Sequence, residues 1–241
     1  MSTNEHIVSA YDNELRDLTA QIAEMGGLAE RLVAESVTAL TTNNTELAKK
    51  IIAEDKKIDD LQRVVEEKAV LVIARRQPMA HDLRRIVGIM RTSADLERVG
   101  DLAKNIAKRV IAINRPFQSK RFMHGVEHMS GLTMNQLKAV LDAYVTPDVE
   151  AALRIRDQDE EIDAIYTSLF RELLTYMMED PRNITQCTHL LFAAKNIERI
   201  GDHATNIAET VYFVETGEQI AEERVKGDQS SFTSVDVPDQ A

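Results

Sequence analysis

Apolar side chains recur every three or four residues along most of the chain, the spacing of one face of an α-helix. In one such stretch the apolar positions are Leu47, Ile51, Ile58, Leu61, Val65 and Val72. The pattern is interrupted by short segments rich in asparagine, aspartate and proline, at 42–44, 77–78, 114–116, 146–147 and 180–183. Because such segments mark turns, they divide the chain into six helical stretches. The pattern predicts six helices.

The composition also favours an all-α protein. Only 5% of the 241 residues are aromatic, and there are only 9 glycines and 5 prolines. The formal net charge of −11 argues against a nucleic-acid partner, because affinity for nucleic acid depends on lysine and arginine neutralising phosphates. No apolar run approaches the ~18 residues of a membrane span, and the start of the chain lacks signal-peptide features. We expect a soluble, cytoplasmic protein without direct membrane insertion.

The C-terminal part of the chain repeats the N-terminal part. Residues 94–110 and 195–211 are identical at nine of seventeen positions when aligned at an offset of 101. Earlier segments align at an offset of 104, so that residues 55–59 correspond to 159–163. Self-similarity of this kind indicates a duplicated structural unit.

We therefore predict two tandem three-helix bundles related by internal pseudo-symmetry, over residues 9–114 and 118–216. The apolar spacing then disappears, and residues 217–241 are mostly polar and acidic. A segment of this composition cannot bury enough apolar surface to fold, so we predict a disordered tail.

Each repeat ends in a helix that carries the pentapeptide Glu-Arg-(Val/Ile)-Gly-Asp. Its two acids, Glu97 and Asp101 in the first repeat, are four residues apart and lie on one helical face. With 40 acidic residues in the chain, a single pair with this spacing can arise by chance on a solvated face. The pentapeptide alone does not establish a site.

The preceding helix strengthens the case for a site. If the second and third helices of the first repeat are antiparallel about the turn at 77–78, the pair Asp55 and Asp59 lies level with the pair on the third helix. The same relation holds in the second repeat about the turn at 180–183. Four carboxylates are expected to converge in each repeat.

Converging carboxylates need a counter-charge, since two charges ~4 Å apart repel by about 4 kcal/mol at an effective dielectric of ~20. Oxygen ligands without histidine or cysteine select hard cations such as Mg²⁺, Mn²⁺, Ca²⁺ or oxidised iron. We predict one metal site per repeat. The first quartet is Asp55, Asp59, Glu97 and Asp101, and the second quartet is Asp159, Asp163, Glu198 and Asp202.

Four further residues flank the quartets. Asn105 and Asn206 lie one turn beyond the last acid of each quartet, where they could support the ligands or bind weakly themselves. Arg98 and Arg199, inside the pentapeptides, offer an alternative to metal, because ion pairs from these arginines would neutralise part of each cluster. The alternative is a metal-free helical adapter, whose acids pair with Arg98, Arg199 and lysines.

Gly100 and Gly201 lie inside predicted helices, where glycine costs roughly 1 kcal/mol relative to alanine. We attribute them to the close approach of a neighbouring helix. Space for a bound ion is the alternative.

Six segments form a recognisable set. They are YDNEL at 11–15, DKKID at 55–59, ARRQPMAHDLR at 74–84, ADLERVGD at 94–101, LLTYMMEDPRNI at 173–184 and KNIERIGDHATNI at 195–207. Together they resemble the PhoU family of phosphate-signalling regulators, over about residues 6–216. The resemblance implies that both quartets bind multinuclear metal clusters on the bundle surface. The extended polar tail departs from the family pattern.

The same resemblance implies a cytoplasmic negative regulator of the phosphate-starvation response. Such a protein connects a high-affinity phosphate ABC transporter, through its ATPase subunit, with a membrane sensor histidine kinase, and it restrains phosphate uptake. The family also implies a homodimer. We expect no enzymatic activity, since a di-metal carboxylate enzyme would use Glu-x-x-His motifs that the acidic helices lack.

Overall fold

The computed structural model of the chain describes residues 2–113, 117 and 119–221, with side chains from residue 11 onward. This part of the chain forms eight α-helices and one short 3-10 helix, without strands. The helices are α1 (Ser2–Thr42), α2 (Thr45–Glu54), α3 (Lys56–Arg76), α4 (Ala80–Ile113), α5 (Lys120–Val145), α6 (Val149–Asp157), α7 (Asp159–Glu179) and α8 (Ile184–Thr216), with the 3-10 helix at Pro181–Asn183. The predicted all-α class is confirmed.

The number of helices differs from the prediction, because the second helix of each repeat is broken in two. The first break falls at Asp55, which keeps a right-handed helical backbone at φ −52° and ψ −38°. The second falls at Gln158, with φ −70° and ψ −15°. Neither residue is proline or glycine, and the apolar spacing continues across each break. The sequence therefore gives no sign of either break.

The long helices α4 and α8 lie at the centre of the molecule. In the first repeat α1, α2 and α3 pack on α4, and in the second repeat α5, α6 and α7 pack on α8. The two central helices also pack on each other along their length. A Cβ atom added to Gly88 would lie 2.5 Å from Cγ2 of Val214, which shows how closely they approach.

One continuous hydrophobic core therefore runs through both repeats. The boundary predicted between them, at residues 114–118, lies outside the described residues except for Phe117. Of the tail predicted to be disordered, residues 217–221 follow α8 as irregular chain, and residues 222–241 lie outside the described part. None of the described helices combines the length and the apolar character of a bilayer span.

Candidate functional site

The first quartet forms where α3 packs on α4. Asp55 is 3% exposed at the α2–α3 break, whereas Asp59 is exposed one turn later. Glu97 and Asp101 are partly buried on α4. Burial raises the pKa of Glu97, and the charges of Asp101, Asp59 and Asp55 raise it further, while Arg98 opposes the rise. The structure thus brings these four carboxylates within electrostatic range of one another.

Lys104 lies between Asp55 and Asp101 of the first quartet, and it was not among the residues predicted from the sequence. Its ammonium donates hydrogen bonds to Oδ2 of Asp55 and, at 2.5 Å, to Oδ1 of Asp101. Burial disfavours the charge of Lys104, but these two bonds outweigh it and raise the pKa of the ammonium. Burial also raises the pKa of Asp55, against the effect of the bond from Lys104. The sequence does contain an indication of Lys104, because this residue lies one turn after Asp101 on the same helical face.

Arg98 contributes a weaker contact at the rim of the first quartet. It lies 3.4 Å from Oε2 of Glu97 and 3.3 Å from Oδ2 of Asp101. Its side chain is 61% exposed, and ion pairs in water contribute little to stability. The ion-pair alternative therefore has a structural basis in the first repeat, with Lys104 as its main contributor.

The second quartet forms in the same way where α7 packs on α8, and it is more deeply buried. Asp159, Asp163 and Glu198 are 2%, 1% and 3% exposed, and Asp202 is half-buried. Burial raises the pKa of Glu198 to about 7. A hydrogen bond from Lys195 opposes this rise, whereas the charges of Asp202 and Asp163 add to it.

The cation beside Glu198 is Lys195 and not Arg199. Lys195 places its ammonium 2.8 Å from Oε1 of Glu198, from one turn earlier on α8. Arg199 is exposed and forms no ion pair within the described part of the chain. The structure therefore gives Arg199 no contact with the second quartet, unlike Arg98 in the first.

Gln136 and Thr205 complete the surroundings of the second quartet, and both were missed. Gln136 is 3% exposed on α5, and its Nε2 donates to Oδ1 of Asp159 at 3.2 Å, to the Ile155 carbonyl at 3.2 Å and to Oγ1 of Thr205 at 3.4 Å. The sequence does contain an indication of Gln136. It is a polar residue on the apolar face of α5, at the position that corresponds to Leu32 of α1.

Gly100 and Gly201 lie where a neighbouring helix approaches closely, as predicted. A Cβ atom on Gly100 would lie 2.8 Å from Cδ1 of Ile58. On Gly201 it would lie 2.9 Å from Oδ1 of Asp159, 3.0 Å from Oε1 of Gln136 and 3.3 Å from Cδ1 of Ile162. In both repeats the missing side chain leaves room for the start of the neighbouring helix, where the first acid of the quartet lies.

The two asparagines differ in their surroundings. Asn206 is exposed and donates to Oδ1 of Asp95 on α4 at 3.2 Å, so that it links the repeats. His203 contacts the same oxygen through Nδ1 at 2.8 Å. Asn105 is half-buried and makes no side-chain hydrogen bond to any other described residue.

The donor chemistry of the quartets fits a hard cation. Among the described residues, no three His, Cys, Asp or Glu side chains are arranged to hold a metal ion as they stand. The atoms that the two quartets offer to a metal ion are nevertheless all carboxylate oxygens. Two of their buried oxygens, Oδ1 of Asp55 and Oε2 of Glu198, find no hydrogen-bond donor in the described part of the chain. An oxygen buried without a hydrogen-bond donor is costly, and a bound cation would take the place of the missing donor.

Comparison with known proteins identifies the family. The model of the PhoU domain matches residues 22–110 and again residues 126–211, one match in each repeat. The phosphate-specific transport system accessory protein PhoU homolog of Rhizobium meliloti is 60% identical over 229 residues, which cover 95% of this chain and 97% of the relative. The homolog with the same name from Caulobacter vibrioides is 49% identical over 224 residues, covering 93% of this chain and 97% of the relative.

Solved structures agree with this result. The crystal structure of PhoU from Pseudomonas aeruginosa superposes with a TM-score of 0.83 at 38% identity, covering 86% of this chain and 100% of that one. The phosphate transport system regulatory protein PhoU from Streptococcus pneumoniae gives a TM-score of 0.82 at 29% identity, covering 88% of this chain and 100% of that one. With both repeats matched and the fold shared, this chain belongs to the PhoU family.

Proposed function

We propose that the chain is the accessory protein of a phosphate-specific transport system and a negative regulator of the phosphate-starvation response. The observation that carries this proposal is the 60% identity to the Rhizobium meliloti accessory protein over 95% of the chain. The relative from Streptococcus pneumoniae, which is named as a regulatory protein of phosphate transport, supports the regulatory part.

As a mechanism we propose an adapter that works in the cytoplasm as a homodimer. It contacts the ATPase subunit of the phosphate ABC transporter and a sensor histidine kinase, keeps the kinase inactive when phosphate is plentiful, and modulates phosphate uptake. The bundle of long helices around a continuous core supports this role, because long helices present extended faces to partners. The adapter role needs no catalytic step, and we propose none.

We further propose that the quartets bind hard cations, with Mg²⁺, Mn²⁺, Ca²⁺ and iron as candidates. The supporting observations are the oxygen-only donor set and the buried carboxylate oxygens without a hydrogen-bond donor at Asp55 and Glu198. When bound, the ions would neutralise the carboxylates and fix α3 against α4 and α7 against α8.

A metal-free adapter is the second candidate, and one observation favours it. Lys104 and Arg98 already neutralise part of the first quartet by direct ion pairs. In that case the acids serve the stability of the helix contacts alone.

Deletion of the gene tests the regulatory role. We expect a phosphate-starvation reporter to be active at high phosphate in the deletion strain, and a plasmid copy of the wild-type gene to restore repression. Normal repression in the deletion strain would contradict the proposed function.

Metal analysis of protein purified without chelator tests the cation proposal. Replacing all four acids of the second quartet by Asn or Gln should lower the bound metal. The matched control is replacement of the exposed acids Asp60, Glu160 and Glu161, which should retain it. Equal metal content in the two variants would contradict cation binding by the second quartet, and absence of metal from the wild-type protein would favour the metal-free adapter.

A further inference from the structure

The two quartets are built from equivalent acids, but their immediate surroundings differ at two equivalent positions. In the alignment of the repeats, Lys104 of α4 corresponds to Thr205 of α8, and Leu32 of α1 corresponds to Gln136 of α5. One repeat therefore places a cation and an apolar side chain where the other places a hydroxyl and an amide.

In the first quartet the lysine fills the position between two carboxylates. Its ammonium bonds Asp55 and Asp101 at once, from α4 across to the α2–α3 break. Leu32 is fully buried and offers no oxygen. A metal ion entering between these acids would have to displace Lys104 or share the site with its charge, and like charges at that distance repel.

In the second quartet the equivalent positions offer neutral oxygens. Oε1 of Gln136 is buried and accepts no hydrogen bond within the described residues. It faces the same point of α8 as Oδ1 of Asp159, since both lie within 3.0 Å of the position that a Cβ of Gly201 would take. The hydroxyl of Thr205 lies on the other side of the amide, where it accepts from Nε2. Amide and hydroxyl oxygens are ordinary ligands of hard cations.

The charge of Glu198 is only partly compensated. Lys195 contacts Oε1 of this side chain, and Oε2 has no hydrogen-bond donor in the part of the chain that the structure describes. A buried carboxylate in this state gains more from a cation than an exposed one, because no water solvates it.

We infer that the two metal sites are unequal: the second quartet, with Gln136 as an additional oxygen ligand, binds a divalent cation tightly, whereas Lys104 acts as a built-in competitor in the first. This inference rests on the proposed cation binding. It assigns one tight site to each chain, in the second repeat.

Binding of Mn²⁺ to the full-length, chelator-stripped protein tests it, by equilibrium dialysis with metal analysis. We expect one tight class of site per chain in the wild type. Exchanging the equivalent residues should exchange the Mn²⁺ affinities of the two quartets, since each change adds or removes one adjacent charge. Thr205→Lys should weaken binding at the second quartet by about tenfold or more. Lys104→Thr should strengthen binding at the first quartet by a similar factor. Gln136→Leu should weaken the tight class alone.

The control is Lys108→Thr, which removes the same charge from an exposed position one turn along α4 and should leave the binding curve unchanged. Helical content and thermal unfolding of every variant establish that it is folded, and Thr205→Lys and Lys104→Thr test the inference independently. Two equal tight classes in the wild type, or curves unaffected by both exchanges, would overturn the inference while leaving cation binding intact. Absence of Mn²⁺ from the wild type and all variants would refute the proposed cation binding itself, and the inference with it.

Discussion

Asp159 and Gly201 face each other across the contact between α7 and α8, with Oδ1 of the aspartate 2.9 Å from the position that a glycine Cβ would take. The absence of a side chain on α8 is therefore what lets a buried carboxylate enter the helix contact.

Replacing Gly201 by alanine should destabilise the protein. The new methyl group would displace Asp159 and Gln136, and overpacking of this kind costs about 1–3 kcal/mol, more than the roughly 1 kcal/mol that alanine gains in helix propensity. Urea unfolding in the presence of chelator measures the difference. The matched control is Gly131→Ala on α5, where nothing lies within 4 Å of the added atom, and it should stabilise the protein by up to about 1 kcal/mol. Equal effects at the two glycines would contradict the packing explanation.

Glu198 should make stability depend on pH between its unfolded and folded pKa values, near 4.5 and about 7. As pH rises through this window the unfolded chain loses the proton while the folded chain keeps it, so the folded state loses stability, by up to about 3 kcal/mol. Glu198→Gln removes this loss. The free energy of unfolding of the variant, relative to wild type, should therefore rise from pH 4.5 to 7 with chelator present.

Glu97→Gln is the comparison for this prediction. Glu97 is less buried, and its pKa is raised in the same direction against the opposing charge of Arg98. We expect the free energy of unfolding of Glu97→Gln, relative to wild type, to rise less over the same pH range than that of Glu198→Gln. A pH-independent difference between Glu198→Gln and wild type would show that Glu198 ionises normally in the folded protein.

Lys104→Met should destabilise the metal-free protein by about 2 kcal/mol, because it leaves the buried Asp55 without its hydrogen-bonded counter-charge. Thermal unfolding in the presence of chelator measures this loss. Lys108→Met, on the exposed face of the same helix, should have little effect. If the two variants have the same melting temperature, the ion pair between Lys104 and Asp55 contributes nothing to stability.

Asp95 and His203 should couple the two repeats energetically. Their side chains are only 15% and 16% exposed, and they join α4 to α8 through a 2.8 Å contact. In a double-mutant cycle with Asp95→Asn and His203→Gln, we expect a coupling energy of about 1 kcal/mol at neutral pH. As control, Asp148→Asn at the distant N-terminus of α6 should combine additively with His203→Gln. An additive result for the first pair would mean that the contact does not link the repeats.

The duplication and the identity of the acids could be predicted from the sequence because both depend on local pattern. Helical spacing places Glu97 and Asp101 on one face, and the turn positions set the level of the acids on the preceding helix. The interruption at Asp55 could not be predicted, since the residue keeps helical dihedral angles and no breaker marks it.

The counter-charges were predicted less well, because they depend on side-chain geometry between helices. Arg98 and Arg199 share one position in the repeat, yet only Arg98 contacts its quartet. Two other residues contact the quartets, Lys104 in the first and Gln136 in the second, and neither recurs at the equivalent position of the other repeat. A search for what the two copies share passes over them, whereas a search for where they differ would have found both.

The packing of α4 on α8 has a consequence for how such a chain could arise. A protein with a single repeat would expose the apolar face of its long helix to water, and it would have to pair with a second copy to cover it. Its folded population would then depend on protein concentration. Joining two copies in one polypeptide makes that association intramolecular, so that formation of the core no longer depends on protein concentration. Each copy is then free to acquire residues that the other lacks.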